Sequence, residues 1–87
     1  MHAVVINVNF TDFEAAKGEL SGLVPTVSGA PGFVAGYWIA MSPDKGTSVV
    51  VFDSEESAQA LMGMLGSAPA MSVTIEDAGV GEVIAHA

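Results

Sequence analysis

Three patterns in this 87-residue sequence predict an α+β fold in which one antiparallel sheet carries two helices. Runs rich in β-branched residues alternate with stretches whose apolar residues recur at helical spacing. Two strand-like runs, 33–41 and 47–52, are separated only by turn residues and so form a hairpin. Each half of the chain also reads strand, helix, strand, which is a weak twofold repeat.

Residues 3–9 (AVVINVN) form the first strand. Thr11-Asp12-Phe13-Glu14 then has the form of a capping box, with Thr11 as N-cap and Glu14 reaching back to it. Phe13, Ala16, Leu20, Leu23 and Val24 follow at helical spacing, so a helix starts near Asp12. Gly18, Gly22 and Pro25 weaken or kink it, and the segment from Ser28 to Gly32 ends it. Phe33 to Met41 is the second strand and Thr47 to Phe52 the third. In the turn between them Pro43 presets φ and Gly46 takes the position that needs a positive φ. Asp53 or Ser54 caps a second helix, Ser54 to Ser67, with Glu55 and Glu56 in the first turn, where the helix dipole favours anions. Its inward stripe is Ala58, Leu61, Met62 and Leu65, and Gly66-Ser67-Ala68-Pro69 stops it. Met71–Ile75 and Val80–Ile84 are β-like on either side of Glu76-Asp77-Ala78-Gly79, a last strand that is bulged or broken.

A β-α-β-β-α-β order is the split βαβ, ferredoxin-like arrangement, in which right-handed crossovers place both helices on one face of a sheet ordered 4-1-3-2. Strand alternation then assigns side chains to faces. Val4, Ile6 and Val8 oppose Val5, Asn7 and Asn9; Val49 and Val51 oppose Val50 and Phe52; Phe33, Tyr37, Ile39 and Met41 oppose Val34 and Trp38. Neither face reads as solvated, yet two helices cover only one. A second copy packed sheet to sheet is the simplest cover, so the sequence predicts a homodimer.

Composition bounds the function. One domain spanning 1–87 fits this length, and a chain of this size buries only about 60–65% of the surface its unfolded form exposes. There is no cysteine to staple it, and 51% of the residues are hydrophobic against 14% charged, again pointing to a partner. Lys17 and Lys45 face ten acids for a net charge of −8, and there is no arginine. That balance excludes nucleic acid and anionic membrane surfaces, both of which are recognised through Lys and Arg. The start MHAVVINVNF lacks the charged region and cleavage site of a signal peptide, and no apolar run reaches the roughly 18 residues of a membrane span. A soluble, cytoplasmic protein is expected. No phosphate-binding loop, dinucleotide fingerprint or Ser-His-Asp set occurs, so no cofactor is implied.

Asn7 on the first strand, Gly32-Phe33 opening the second, and the run from Val49 to Ala58 (VVVFDSEESA) resemble the dimeric α+β barrel superfamily. Within it the likeness is to antibiotic-biosynthesis-monooxygenase-type domains, and it spans nearly the whole chain in element order. The resemblance implies a cavity between helices and sheet in each subunit and, among known activities, cofactor-independent oxygenation, isomerisation or haem degradation. The haem-degrading branch pairs a first-strand Asn with a Trp ending the third strand and a His on the second helical segment. Here Asn7 matches, Phe52 replaces the Trp, and the second helix has no His. The quinone-forming branch uses an Arg that this chain lacks. An inherited catalytic role therefore rests on Asn7, with Trp38 and Tyr37 nearby in another strand.

Asn7 either binds a substrate carbonyl or peroxy intermediate, or satisfies backbone groups near a sheet edge. Trp38 offers a wall for a planar ligand or serves as a core or interface anchor. Met62 and Met64, with Phe13, line an adaptable pocket or simply fill core gaps, and Phe52 joins Asn7 and Phe13 if a cavity opens between helices and sheet. His2 and His86, with Glu82, come together only if the chain ends lie side by side, and their spacing matches no zinc signature. The reading that results is a homodimer binding a small apolar or aromatic molecule, with oxygenase-like or isomerase chemistry implied by the resemblance. The alternative is a non-enzymatic interaction or assembly module whose family site has decayed.

Overall fold

A computed structural model describes residues 1–65 and 73–87, apart from the Leu65 side chain. Its elements are β1 (His2–Phe10), α1 (Phe13–Ser28), β2 (Phe33–Ser42), β3 (Lys45–Phe52), α2 (Glu55–Leu65) and β4 (Val73–Glu82). The strands form one antiparallel sheet ordered β2-β3-β1-β4, which is 4-1-3-2 read from the other edge. Val4, Ile6, Val50 and Phe52 of the sheet share a core cluster with Val27 of α1 and with Ala58 and Leu61 of α2, so both helices lie on one face. That is the architecture read from the sequence.

Several local details differ from the sequence expectation. β1 stays paired as far as Phe10, whose N–H donates to the Asp44 carbonyl (2.8 Å). The helix cap therefore falls one residue later than expected: Asp12, extended at φ −148° and ψ 103°, accepts from the Ala15 N–H (3.1 Å). Thr11 is not the cap, and Glu14 pairs with Lys17 (3.1 Å) instead of reaching back. α1 continues through Pro25 to Ser28, and the Thr26 hydroxyl bonds back to the Gly22 carbonyl (3.2 Å). Ser54, rather than Asp53, caps α2, its Oγ accepting from the Ser57 N–H (3.2 Å). The expected end of that helix, Gly66–Pro69, and the start of the last strand at Met71 lie outside the described residues.

Three register shifts reassign side chains, one of them leaving Met41 as the extra residue between Ala40, opposite Gly46, and Ser42, opposite Lys45. Phe33 pairs with Phe52 while Ala35 pairs with Val51, so Val34 is the extra residue. That insertion turns Phe33 to the helix side, where it meets Phe52 edge to face at 6.3 Å, rather than leaving it beside Tyr37. In β4 the register shifts between Asp77 and Ile75, making Glu76 the expected bulge. β4 ends at Glu82, not Ile84, because its partner runs out: the Val83 N–H donates to the Met1 carbonyl (2.9 Å). Gly46 is not a positive-φ turn residue either. The turn is Pro43-Asp44, and among the described residues only Gly32 has a positive φ, 81°. A Cβ at Gly32 would stand 2.5 Å from Asp53 Oδ1 and 2.6 Å from Ser57 Oγ, which seals the approach of β2 to the start of α2.

The face away from the helices is apolar over one part only. Val5, Tyr37 and Ile39 are exposed, and Val49 and Val51 half-buried. Elsewhere it is polar, contrary to the expectation that neither face carries solvated groups. The Glu76 bulge sets Asp77 opposite Asn7, and a chain of bonds crosses three strands: Thr47 Oγ1 donates to Asn7 Oδ1 (2.8 Å), and Asn7 Nδ2 to Asp77 Oδ1 (2.7 Å). Beside it Lys45 Nζ donates to Asn9 Oδ1 (3.0 Å) and lies 3.6 Å from Glu76 Oε2.

Candidate functional site

The two helices cover the sheet unequally. α2 packs on β1, β3 and β4, because the fully buried Ala58 lets its backbone come close. α1 meets chiefly β2, and between it and the sheet lies a cavity of about 490 Å³. A volume in the range of roughly 300–1,000 Å³ is typical of small-molecule sites. Leu20, Leu23 and Phe13 of α1 form its roof, and Ile6, Val8 and Trp38 belong to its floor.

One end of the cavity is aromatic. The Phe10 and Phe13 rings are 5.2 Å apart and tilted by 53°. Phe10 reaches this position across Gly46, where a Cβ would stand 2.5 Å from its Cζ. Lys17 Nζ lies 5.0 Å from the centre of the Phe13 ring and 3.1 Å from Glu14 Oε1. Glu19 also borders the cavity. In the middle of the floor Ser48 pairs in register with Ile6 on one side and Trp38 on the other, hence on the helix side. Its hydroxyl makes no hydrogen bond among the described residues and borders the cavity. An apolar chamber with one uncommitted hydroxyl is suited to hold an apolar molecule and orient one polar group on it.

Of the residues singled out in the sequence, this arrangement brings together Phe13 and Trp38. Asn7 does not join them. Strand alternation puts it on the face opposite Ile6 and Val8, where Thr47 and Asp77 occupy its amide. Phe52 is 1% exposed in the core under α2, and Met62 packs against that same core, so neither borders the cavity. Sequence reasoning missed Ser48, although a signal was present. In the third strand positions 48, 50 and 52 share a face, and Ser48 is the polar one of the three.

The other polar groups do not form a second centre. His2 Nε2 lies 3.7 Å from Glu55 Oε2, and its Nδ1 is buried without a hydrogen-bond partner in the described structure. His86 lies in the exposed tail after β4. No group of three potential metal-ligating residues occurs among the described residues. At the hairpin turn the Ser42 hydroxyl donates to Asp44 Oδ1 (2.6 Å) and holds that carboxyl below its usual range, with the Asp44 backbone N–H and the Lys45 charge adding to the effect. No described helix is long and apolar enough to cross a membrane.

Comparison with known proteins bears on the fold alone. No protein-family model matches the chain. No curated protein matches it in sequence. The crystal structure of a protein of unknown function from Nitrosomonas europaea is similar, with a TM-score of 0.77 at 17% identity over 99% of this chain and 91% of the other. The shared fold thus persists at a sequence distance where side-chain chemistry is free to differ.

Proposed function

We propose that this protein binds a small apolar or aromatic molecule in the cavity between α1 and the sheet, and that it does so as a homodimer packed through its open sheet face. The observation that carries the binding reading is the cavity itself: about 490 Å³, walled by Phe13, Leu20, Leu23 and Trp38, in a domain with few buried hydrophobic residues to spare. A small domain that leaves such a space unfilled forgoes packing worth on the order of 1 kcal/mol per missing methyl-sized group. A ligand restores those contacts when it enters.

The oxygenase-like chemistry implied by the family resemblance asks for a hydrogen-bond donor inside this chamber. Asn7 points elsewhere, and Ser48 is the hydroxyl at hand. Binding, with Ser48 orienting the ligand, is therefore the function proposed. Two features support the homodimer. Val5, Tyr37 and Ile39 stand exposed together on one sheet face. Gly79 and Gly81, opposite Val5 and Ala3, present bare backbone on that face, and glycine within a strand often marks the close approach of another backbone.

The test of binding uses Trp38, the single tryptophan, which lines the cavity. Titration with 1-naphthol should change Trp38 emission saturably, and Leu20→Phe, which fills the roof, should weaken the response about tenfold or more without unfolding the protein. An unresponsive Trp38, or a response indifferent to Leu20→Phe, would favour the assembly-module alternative.

A further inference from the structure

Resting on that binding reading, we infer that the cavity selects uncharged ligands, and in particular discriminates against carboxylates and sulfonates. The first reason is the shortage of free donors. Among the described residues bordering the cavity, the Thr47 hydroxyl is committed to Asn7 and the Lys17 ammonium to Glu14 and the Phe13 ring. The Ser48 O–H and the Trp38 indole N–H remain. A carboxylate brings about four acceptor sites, and two donors in a chamber walled by Leu20 and Leu23 would leave about half of them unmet.

The second reason is the field. The two ionic groups bordering the chamber, Lys17 and Glu19, cancel, and Glu14 at 3.1 Å from Lys17 tips the mouth toward negative. Beyond it the whole molecule carries −8. An entering anion must compete with Glu14 for the lysine while approaching a negative body, which lowers both its local concentration and its affinity at low ionic strength. A neutral ring system bearing one hydroxyl, carbonyl or amine group meets neither obstacle, because Ser48 can serve as donor or acceptor.

Two fluorescent molecules that differ by a single anionic group test this. N-phenyl-1-naphthylamine is neutral, and 8-anilinonaphthalene-1-sulfonate is the same skeleton with a sulfonate. At about 0.02 M salt the neutral compound should bind at least about tenfold more tightly, read by its own emission and by energy transfer from Trp38. At about 0.5 M salt the gap should shrink severalfold, since screening weakens the charge effect and leaves the bulk of the sulfonate unchanged. Glu19→Gln should narrow the low-salt gap, and Lys17→Gln should widen it. Equal or tighter binding of the sulfonate at low salt, or a gap indifferent to both salt and Glu19→Gln, overturns the charge selection and leaves the binding reading standing. Failure of both compounds to bind overturns the two together.

Discussion

In the proposed binding role, ligand orientation turns on Ser48, whose hydroxyl is uncommitted in the cavity floor. Ser48→Ala should weaken ligands that carry a hydrogen-bonding group by about 1 kcal/mol, close to fivefold, and leave a pure hydrocarbon such as naphthalene almost unaffected. Calorimetric titration of 1-naphthol and naphthalene against both proteins decides it; an equal loss for both compounds would assign Ser48 to packing. The Asp44 carboxyl is held below its unfolded value, chiefly by the Ser42 hydroxyl, so its contribution to folding is present above the unfolded value and is lost as pH falls through the lowered folded one. An NMR titration of the Asp44 carboxyl carbon should show a midpoint below that of the unfolded chain, and Ser42→Ala should move it upward. Single positions were only partly legible from sequence. Faces could be read by counting in twos wherever a strand was regular, which is how Val4, Ile6, Val50 and Phe52 emerge as core. Counting fails at Val34, because a bulge inserts a residue and turns Phe33 over, and no local feature of Phe33-Val34-Ala35 announces it.

At the level of elements, order and type were written plainly, since hydrophobic period and turn chemistry agree for all six. What was not written is how far each helix stands from the sheet. That distance depends on which side chains meet across the gap: Ala58 brings α2 in, whereas α1 rests on β2 and leaves the chamber open. α1 also carries Gly18 and Gly22, and an added Cβ at either would meet nothing within 4 Å. Neither glycine is required by packing within the chain, so Gly18→Ala and Gly22→Ala should each stabilise the fold by about 0.5–1 kcal/mol, raising the melting temperature by about 2–8 °C apiece. Asp12→Ala should act in the other direction, costing about 1 kcal/mol through loss of the bond to the Ala15 N–H. Thermal unfolding of the three variants checks both signs. A destabilising Gly22→Ala would show that this flank of α1 is covered by something outside the single chain.

For the whole molecule the question is whether one copy suffices. A monomer of 8.8 kDa should expose about 4,800 Å² by the usual scaling of surface with mass. This chain exposes 5272 Å², with Tyr37 61% accessible on the edge strand β2. Four strands about 4.8 Å apart and eight to ten residues long offer a face of roughly 500–600 Å² in projection, comparable to one side of a modest stable interface. The polar chain through Thr47, Asn7 and Asp77 limits where a partner can sit. Asp77 accepts one bond from Asn7 and keeps further acceptor sites for water, so in the proposed dimer this polar chain belongs at the wet margin, while the apolar contact would fall on Val5, Tyr37, Ile39 and Val49. Tyr37→Glu would place a carboxylate beside Val49 in that contact without touching the helix-side core. The wild-type protein should sediment at twice 8.8 kDa at micromolar concentration, and Tyr37→Glu at the mass of one chain with a lower melting temperature. A monomeric wild type would remove the dimer. A Tyr37→Glu protein that still sediments at twice the chain mass would move the interface to another surface, away from the open face of the sheet.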